Sequence, residues 1–149
     1  MQNAASIEDL YQNLIMERAR TPRHSGSLAA FDAEAEGDNP MCGDRVLLRI
    51  RRDRAGIADM THETRGCAIC ISAADLMGDA VIGKSQGEIK VIADAFEAMI
   101  ATGNAPDRPD FENLRALSGV HAYRSRHRCA TLPWQALRAA LGKTETRHG

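Results

Sequence analysis

The spacing of apolar residues changes twice along this chain. In "SIEDLYQNLIMERAR", Ile7, Leu10, Tyr11, Leu14 and Ile15 recur at intervals that predict a helix with one apolar face. Ser6 and Asp9 are spaced as a capping box at its start, and Thr21-Pro22 stops it. After a Gly/Ser-rich loop the period falls to two. "FDAEAE" reads as a short edge strand. In "RVLLRIRR", Val46, Leu48 and Ile50 alternate with Leu47, Arg49 and Arg51, as a half-buried strand requires. "DRAG", Asp53 to Gly56, predicts a hairpin turn into a third strand, "IADMTHE".

From Cys67 onward the helical period returns. Ala73, Ala74, Met77, Ala80 and Val81 mark one face of a helix. Ser85 and Glu88 form a second capping-box pattern, opening a helix with Ile89, Ile92, Ala93, Phe96 and Ile100 inward and Gly103 at its close. "NAPDRPD" reads as a loop, "FENLRAL" as a short helix and "RCATLPWQALRAALGK" as a last helix. Pro133 has no amide hydrogen, so a start or a kink is expected between Cys129 and Pro133. Three strands followed by a run of helices predict an α+β fold with helices against one sheet face. Residues 1–142 are expected to form one domain, with 143–149 a flexible tail.

Composition narrows the functional classes. A chain of 149 residues fits one domain, and a 44% hydrophobic content with only 4% aromatic residues calls for an aliphatic core. Nineteen basic against twenty acidic side chains leave no global field to attract nucleic acid. The sequence shows no secretory apolar region and no run near the roughly 20 residues of a membrane span. The expectation is a cytoplasmic protein that binds neither membrane nor nucleic acid. Four cysteines in a reducing compartment point to metal or redox chemistry rather than structural disulfides.

Three of the four cysteines fall at ends of elements. Cys42 lies in the "NPMCGD" turn before the central strand, Cys67 follows Gly66 where strand gives way to helix, and Cys129 lies near the start of the last helix. Residues two apart in an extended segment project to one side, so Cys42 and Asp44 could bind a single ion. Three thiolates (Cys42, Cys67, Cys129) and the Asp44 carboxylate suit tetrahedral zinc, or an iron–sulfur cluster with one oxygen ligand. The spacings, 24 and 61 intervening residues, match no zinc finger. Cys70 shares the apolar stripe of its helix and reads as a small buried hydrophobe. Two other readings use the same residues. Cys67-Ala-Ile-Cys70 is a C-x-x-C at a strand-to-helix junction, as in a thiol–disulfide oxidoreductase, although the βαβ opening and the preceding aromatic of that fold are missing. A purely structural zinc domain would need the same ligands without the chemistry. His62 and His121 read as surface histidines, and Trp134 as core or a helix anchor.

"LYQNLIMERARTPRH", "NPMCGD", "RGCAICISAADLMGDAVIG" and "RHRCATLPWQAL" resemble, in order and over nearly the whole chain, the signature blocks of iron–sulfur cluster assembly proteins of the SufU/IscU type, the NifU N-terminal family. The resemblance implies an α+β fold with a small three-stranded antiparallel sheet and helices on one face. It implies shared ligands at Cys42, Asp44, Cys67 and Cys129. It also implies a pyridoxal-phosphate-dependent cysteine desulfurase of the SufS type as sulfur donor, with downstream iron–sulfur assembly proteins as recipients. The IscU branch has a histidine directly before the last cysteine, after a Leu-Pro-Pro-Val-Lys segment; here Arg128 and "HAYRSRH" stand in those places. The longer stretch between Cys67 and Cys129, and Arg126 three residues before Cys129, resemble the SufU branch, whose members bind zinc and accept sulfur. Cys42, which Pro40 and Gly43 put on a loop rather than a packed element, would be the sulfur acceptor, and Arg126 could pair with Asp44 when a ligand is exchanged. The alternative is cluster assembly on the same residues, with iron in place of zinc.

Overall fold

The computed structural model describes residues 6–148. Its elements, in chain order, are α1 (Ile7–Arg20), β1 (Ala33–Asn39), β2 (Asp44–Arg52), β3 (Ile57–Arg65), α2 (Ala68–Val81), α3 (Gln86–Thr102) and α4 (His127–His148), with short 3-10 turns between α3 and α4. The three strands form one antiparallel sheet in the order β1-β2-β3. α4 lies against β1 and β2, α2 lies against β3 and α4, and α1 packs on α2. The fold is therefore α+β, with the helices gathered on one sheet face.

Alternation sets which sheet face is buried. Val46, Leu48 and Ile50 are fully enclosed, and their partners Ala33 and Ala35 on β1 and Met60 on β3 face the same way. Small alanines on β1 let α4 lie close. Gly37 allows the same approach, since a Cβ there would stand 3.0 Å from Leu132. Trp134 of α4 stacks on Phe96 of α3 at 5.0 Å between ring centroids and is wholly buried, a core role. α3 begins with the complete Ser85–Glu88 capping box and ends at Gly103 in the left-handed region (φ 82°). At the first helix only half of the expected box forms: Ser6 Oγ accepts from Asp9 N.

Three expectations about the elements need correction. β1 begins at Ala33 and runs to Asn39, displaced from the expected 31–36, because its pairing continues to the Asn39–Asp44 rung. α4 opens at His127 and passes through Pro133 to His148, so it starts earlier than the Cys129–Pro133 stretch where a start was expected. No proline follows Pro133 to stop it. The apolar stripe of α1 leaves Ile7 and Leu10 more than half exposed, and the helix's one fully buried side chain is Arg18.

Arg18 is buried because it enters a polar network that also encloses His62, which the sequence had placed on the surface. The Asp75 carboxylate accepts from Arg18 Nη1 (2.9 Å), Arg23 N and His24 N (2.8 Å each), and it meets His62 Nε2 at 3.0 Å. Arg18 also binds Asp79, which contacts His24 Nε2 and Asn113 as well. Burial alone would raise both carboxyl groups. The hydrogen bonds from His62, the Arg23 and His24 amides and Arg18 outweigh it and hold Asp75 far below the usual range. His24 and Arg18 bring Asp79 down to about 2. The network ties α1 and the following loop to α2, with His62 linking β3.

A depressed folded-state pKa stabilises the fold above the unfolded value and loses that contribution as pH falls through the folded one. Stability should thus fall between about pH 4 and pH 2 as these groups take up protons. Asp75→Ala strands part of a buried guanidinium and should cost roughly 3 kcal/mol at pH 7. Urea titrations of wild type and variant would measure both effects. A loss below about 1 kcal/mol, the range of an exposed ion pair, would rule out the buried-pair account.

Candidate metal centre

The site is built where β2 begins, α2 begins and α4 begins. The β1–β2 connection is only Pro40-Met41-Cys42-Gly43. The carbonyl of Asn39 accepts from both Cys42 N (3.1 Å) and Gly43 N (2.8 Å), and Asn39 Oδ1 accepts from Met41 N (3.3 Å). Gly43 turns the chain through φ 76°, a left-handed conformation costly for any residue with a side chain. The outcome is an exposed Cys42 on a tightly held loop, followed at once by the buried Asp44.

Asp44 faces inward as the first residue of β2, in phase with Val46 and Leu48. Its Oδ1 accepts from Cys67 N at 3.1 Å, joining the β1–β2 loop to the start of α2. Gly66 makes this contact possible. A Cβ there would stand 2.1 Å from Asp44 Oδ1, and its φ of 148° is also unsuited to a larger residue. Cys67 is the N-cap of α2, and its side chain makes no capping bond. Cys129 arrives from the opposite side in the first turn of α4 and is fully buried.

Cys42 Sγ, an Asp44 carboxylate oxygen and Cys129 Sγ lie within 4.8 Å of one another, a group that could hold a metal ion. Cys67 adjoins the group: it lies close enough to Cys129 to act on its ionisation, although its sulfur is outside the 4.8 Å set. Arg126, exposed at the rim, lies near Cys129 and Cys67, which raise its pKa. No ion pair joins it to Asp44 among the described residues. His127 points away, its Nε2 on the His121 carbonyl at 2.9 Å.

Two observations fit a cation. Asp44 Oδ2 is buried and has no hydrogen-bond partner, a position that normally carries a cost. Burial, the Asp44 carboxylate and Cys67 together push the Cys129 thiol up. Cys129 thus resists becoming a thiolate unless a positive charge is brought in, and a metal ion supplies one. Sulfur with one carboxylate oxygen is also a donor set that zinc accepts.

Cys70 lies apart from this chemistry. It is fully buried in the core, and burial first, then the nearby Asp44, Cys67 and Cys42, pushes its thiol up. A redox pair with Cys67 would need a reactive, accessible thiol. Asn39 and Gly66 were not singled out in the sequence, although the two-residue phase from Ala33 and Ala35 through Gly37 places Asn39 on the buried face opposite Asp44.

The family described as "NifU-like N terminal domain" matches residues 10–148. The chain is 32% identical over 141 residues to the zinc-dependent sulfurtransferase SufU of Bacillus subtilis (strain 168), covering 95% of both chains. It is 31% identical over 140 residues to the iron-sulfur cluster assembly scaffold protein IscU of Streptococcus pyogenes serotype M1, covering 94% of this chain and 87% of that one. The solved structure of a nitrogen-fixing NifU-like protein (N-terminal) from Brucella abortus is similar with a TM-score of 0.84 at 28% identity, covering 94% of this chain and 97% of that one.

Gly66→Ala should disrupt the Asp44–Cys67 contact and reduce bound metal well below wild type, while Cys70→Ala should leave metal content unchanged. Elemental analysis of the purified proteins measures both. Full metal in Gly66→Ala would mean that Asp44 is not held by this contact, and metal loss in Cys70→Ala would revive the C-x-x-C pair.

Proposed function

The chain belongs to the NifU-like N-terminal domain family, and from that premise we propose that it serves iron–sulfur cluster biogenesis as a zinc-dependent sulfur acceptor. The carrying observation is the contrast within one centre: Cys42 is exposed on a four-residue loop, while Asp44 and Cys129, within 4.8 Å of it, are buried. A structural site would enclose all its ligands. Here one sulfur is presented outward and the others are held back.

In this reading Cys42, Asp44, Cys67 and Cys129 hold zinc, with Cys67 joining through side-chain torsion at the α2 N-cap. Zinc, when bound, keeps its ligand sulfurs as thiolates at neutral pH, where a free cysteine is mostly protonated. Cys42 thiolate attacks the terminal sulfur of a persulfide on a pyridoxal-phosphate-dependent cysteine desulfurase of the SufS type. A new S–S bond forms on Cys42, the donor's S–S bond breaks, and the donor cysteine leaves with the electron pair as a thiolate. The exchange is redox-neutral, so no outside oxidant or reductant is required. Asp44, Cys67 and Cys129 keep the rest of the centre in place, and Arg126 pairs with Asp44 while Cys42 carries sulfur.

The SufU branch is favoured because Arg128 occupies the position of the IscU-branch histidine and His127 is engaged with a backbone carbonyl. Sulfur then passes to downstream iron–sulfur assembly proteins in the reducing cytoplasm. Cluster assembly on the same residues, with iron as cargo, is the second reading, supported by similarity to the streptococcal scaffold.

With its cognate desulfurase and cysteine, the protein should raise alanine production, and mass spectrometry should place a labile sulfur on Cys42. Cys42→Ala should abolish the gain while leaving the fold intact. Equal stimulation by Cys42→Ala would end the sulfur-acceptor mechanism. About one zinc per chain and a colourless protein are expected from an aerobic preparation; a stable brown protein without zinc would favour the scaffold.

A further inference from the structure

The hairpin that presents Cys42 closes on the Asn39–Asp44 rung, where the two residues are direct register partners. Both side chains are 1% exposed and lie on the buried sheet face. Each has one unsatisfied atom, and the two are complementary: Asn39 Nδ2 is a donor without an acceptor, and Asp44 Oδ2 an acceptor without a donor. Side chains directly opposite on antiparallel strands have Cβ atoms about 5 Å apart, so torsion alone can join them. The other end of the Asn39 carboxamide is already committed, since Oδ1 accepts from Met41 N in the Cys42 loop. Asp44 Oδ1 is committed too, to Cys67 N.

We propose that Asn39 is a positioning residue for the metal centre: its Nδ2–H donates to Asp44 Oδ2 and sets the angle at which that carboxylate meets the metal. The inference rests on the reading of Asp44 as a ligand. A carboxylate bonded at one oxygen by Cys67 N and at the other by Asn39 Nδ2 cannot rotate about its Cβ–Cγ bond. An Asp44 carboxylate oxygen lies within 4.8 Å of the Cys42 and Cys129 sulfurs, so the lone pairs left to it are within reach of an ion they share. Metal-bound carboxylates are commonly oriented by such outer hydrogen bonds, and losing one typically costs 10- to 100-fold in affinity. Because Asn39 also holds the loop through Oδ1 and its carbonyl, the residue couples presentation of Cys42 to orientation of Asp44.

The test is a double-mutant cycle on zinc affinity, measured by chelator competition on metal-free protein, with circular dichroism to follow folding. Asn39→Ala should weaken zinc about tenfold or more in the wild-type background. In an Asp44→Ala background it should cost little further, since the group it positions is gone. An equal cost in both backgrounds would show that Asn39 acts only on the loop, and no cost in the wild-type background would dismiss the role altogether. Should Asn39→Ala fail to fold, Asn39→Asp keeps the Oδ1 acceptor for Met41 N and replaces the donor with a charged carboxylate oxygen that cannot donate to Asp44. It too should lose affinity, and zinc binding equal to or tighter than wild type would overturn the proposal. Substitution with cobalt(II) gives a spectroscopic check, because a reoriented carboxylate shifts the visible bands and an unaltered spectrum in Asn39→Asp counts against the inference. The wild-type affinity in the same series tests the metal reading separately: a wild type that binds no zinc fails that reading, whereas Asn39 is judged on the ratio of variant to wild type.

Discussion

The close passage of the Gly66 backbone beside the Asp44 carboxylate is the constraint on which the centre depends. At that point the end of β3 and the entry to α2 meet the first residue of β2, and the Cys67 amide closes onto Asp44 Oδ1. Without it, Cys67 would have no fixed relation to Cys42. Its demands are narrow. A residue with a Cβ at position 66 would overlap the carboxylate oxygen, and one at position 43 would resist the turn that brings Cys42 back over the sheet edge. Two glycines in left-handed conformations thus specify the loop side of the centre, one through close approach and the other through torsion.

The rest of the fold holds those loop ends still. α2 starts at the centre and is fixed along its length by Asp75 and Asp79, which accept from Arg18, the Arg23 and His24 amides and His62. α4, which brings Cys129, is seated by Trp134 against Phe96 and by Leu132 over Gly37. The first anchor is polar and buried, and the second is aromatic and apolar. Cys42 of the loop, Asp44 of β2 and Cys129 of α4 can therefore meet within 4.8 Å, with the four-residue loop held by the Asn39 carbonyl and carboxamide.

Much of this was legible in the chain. Two-residue alternation gave β2 its buried face, the Ser85–Glu88 spacing gave α3 its start, and the placing of Cys42, Cys67 and Cys129 at element ends implied that they could converge. What was hidden follows a physical rule: periodicity reports burial of apolar groups and says nothing of polar groups buried in pairs. Arg18 and Asp75 are 57 residues apart, so neither signals the other. His62 lay in a phase that should have been read as inward, opposite Leu48, yet its residue type suggested the surface. Gly66 was visible only as the neighbour of a cysteine, because the approach to Asp44 is made in three dimensions.

In the proposed mechanism the division of labour among the thiols follows from solvation. A sulfur that must attack a partner's persulfide has to reach water and the partner; a sulfur that retains a metal gains from exclusion, which slows hydrolysis and competing ligands. Those requirements cannot be met by equivalent residues. The chain separates them by burial: Cys129 sits in the first turn of a long helix with no exposed surface, while Cys42 stands beside Met41, 85% exposed, on the outermost turn. Cys67 is intermediate in exposure and in placement, at the N-terminus of α2. A graded series from exposed to buried lets one ligand exchange without releasing the others, and a symmetric, fully enclosed site could not offer that.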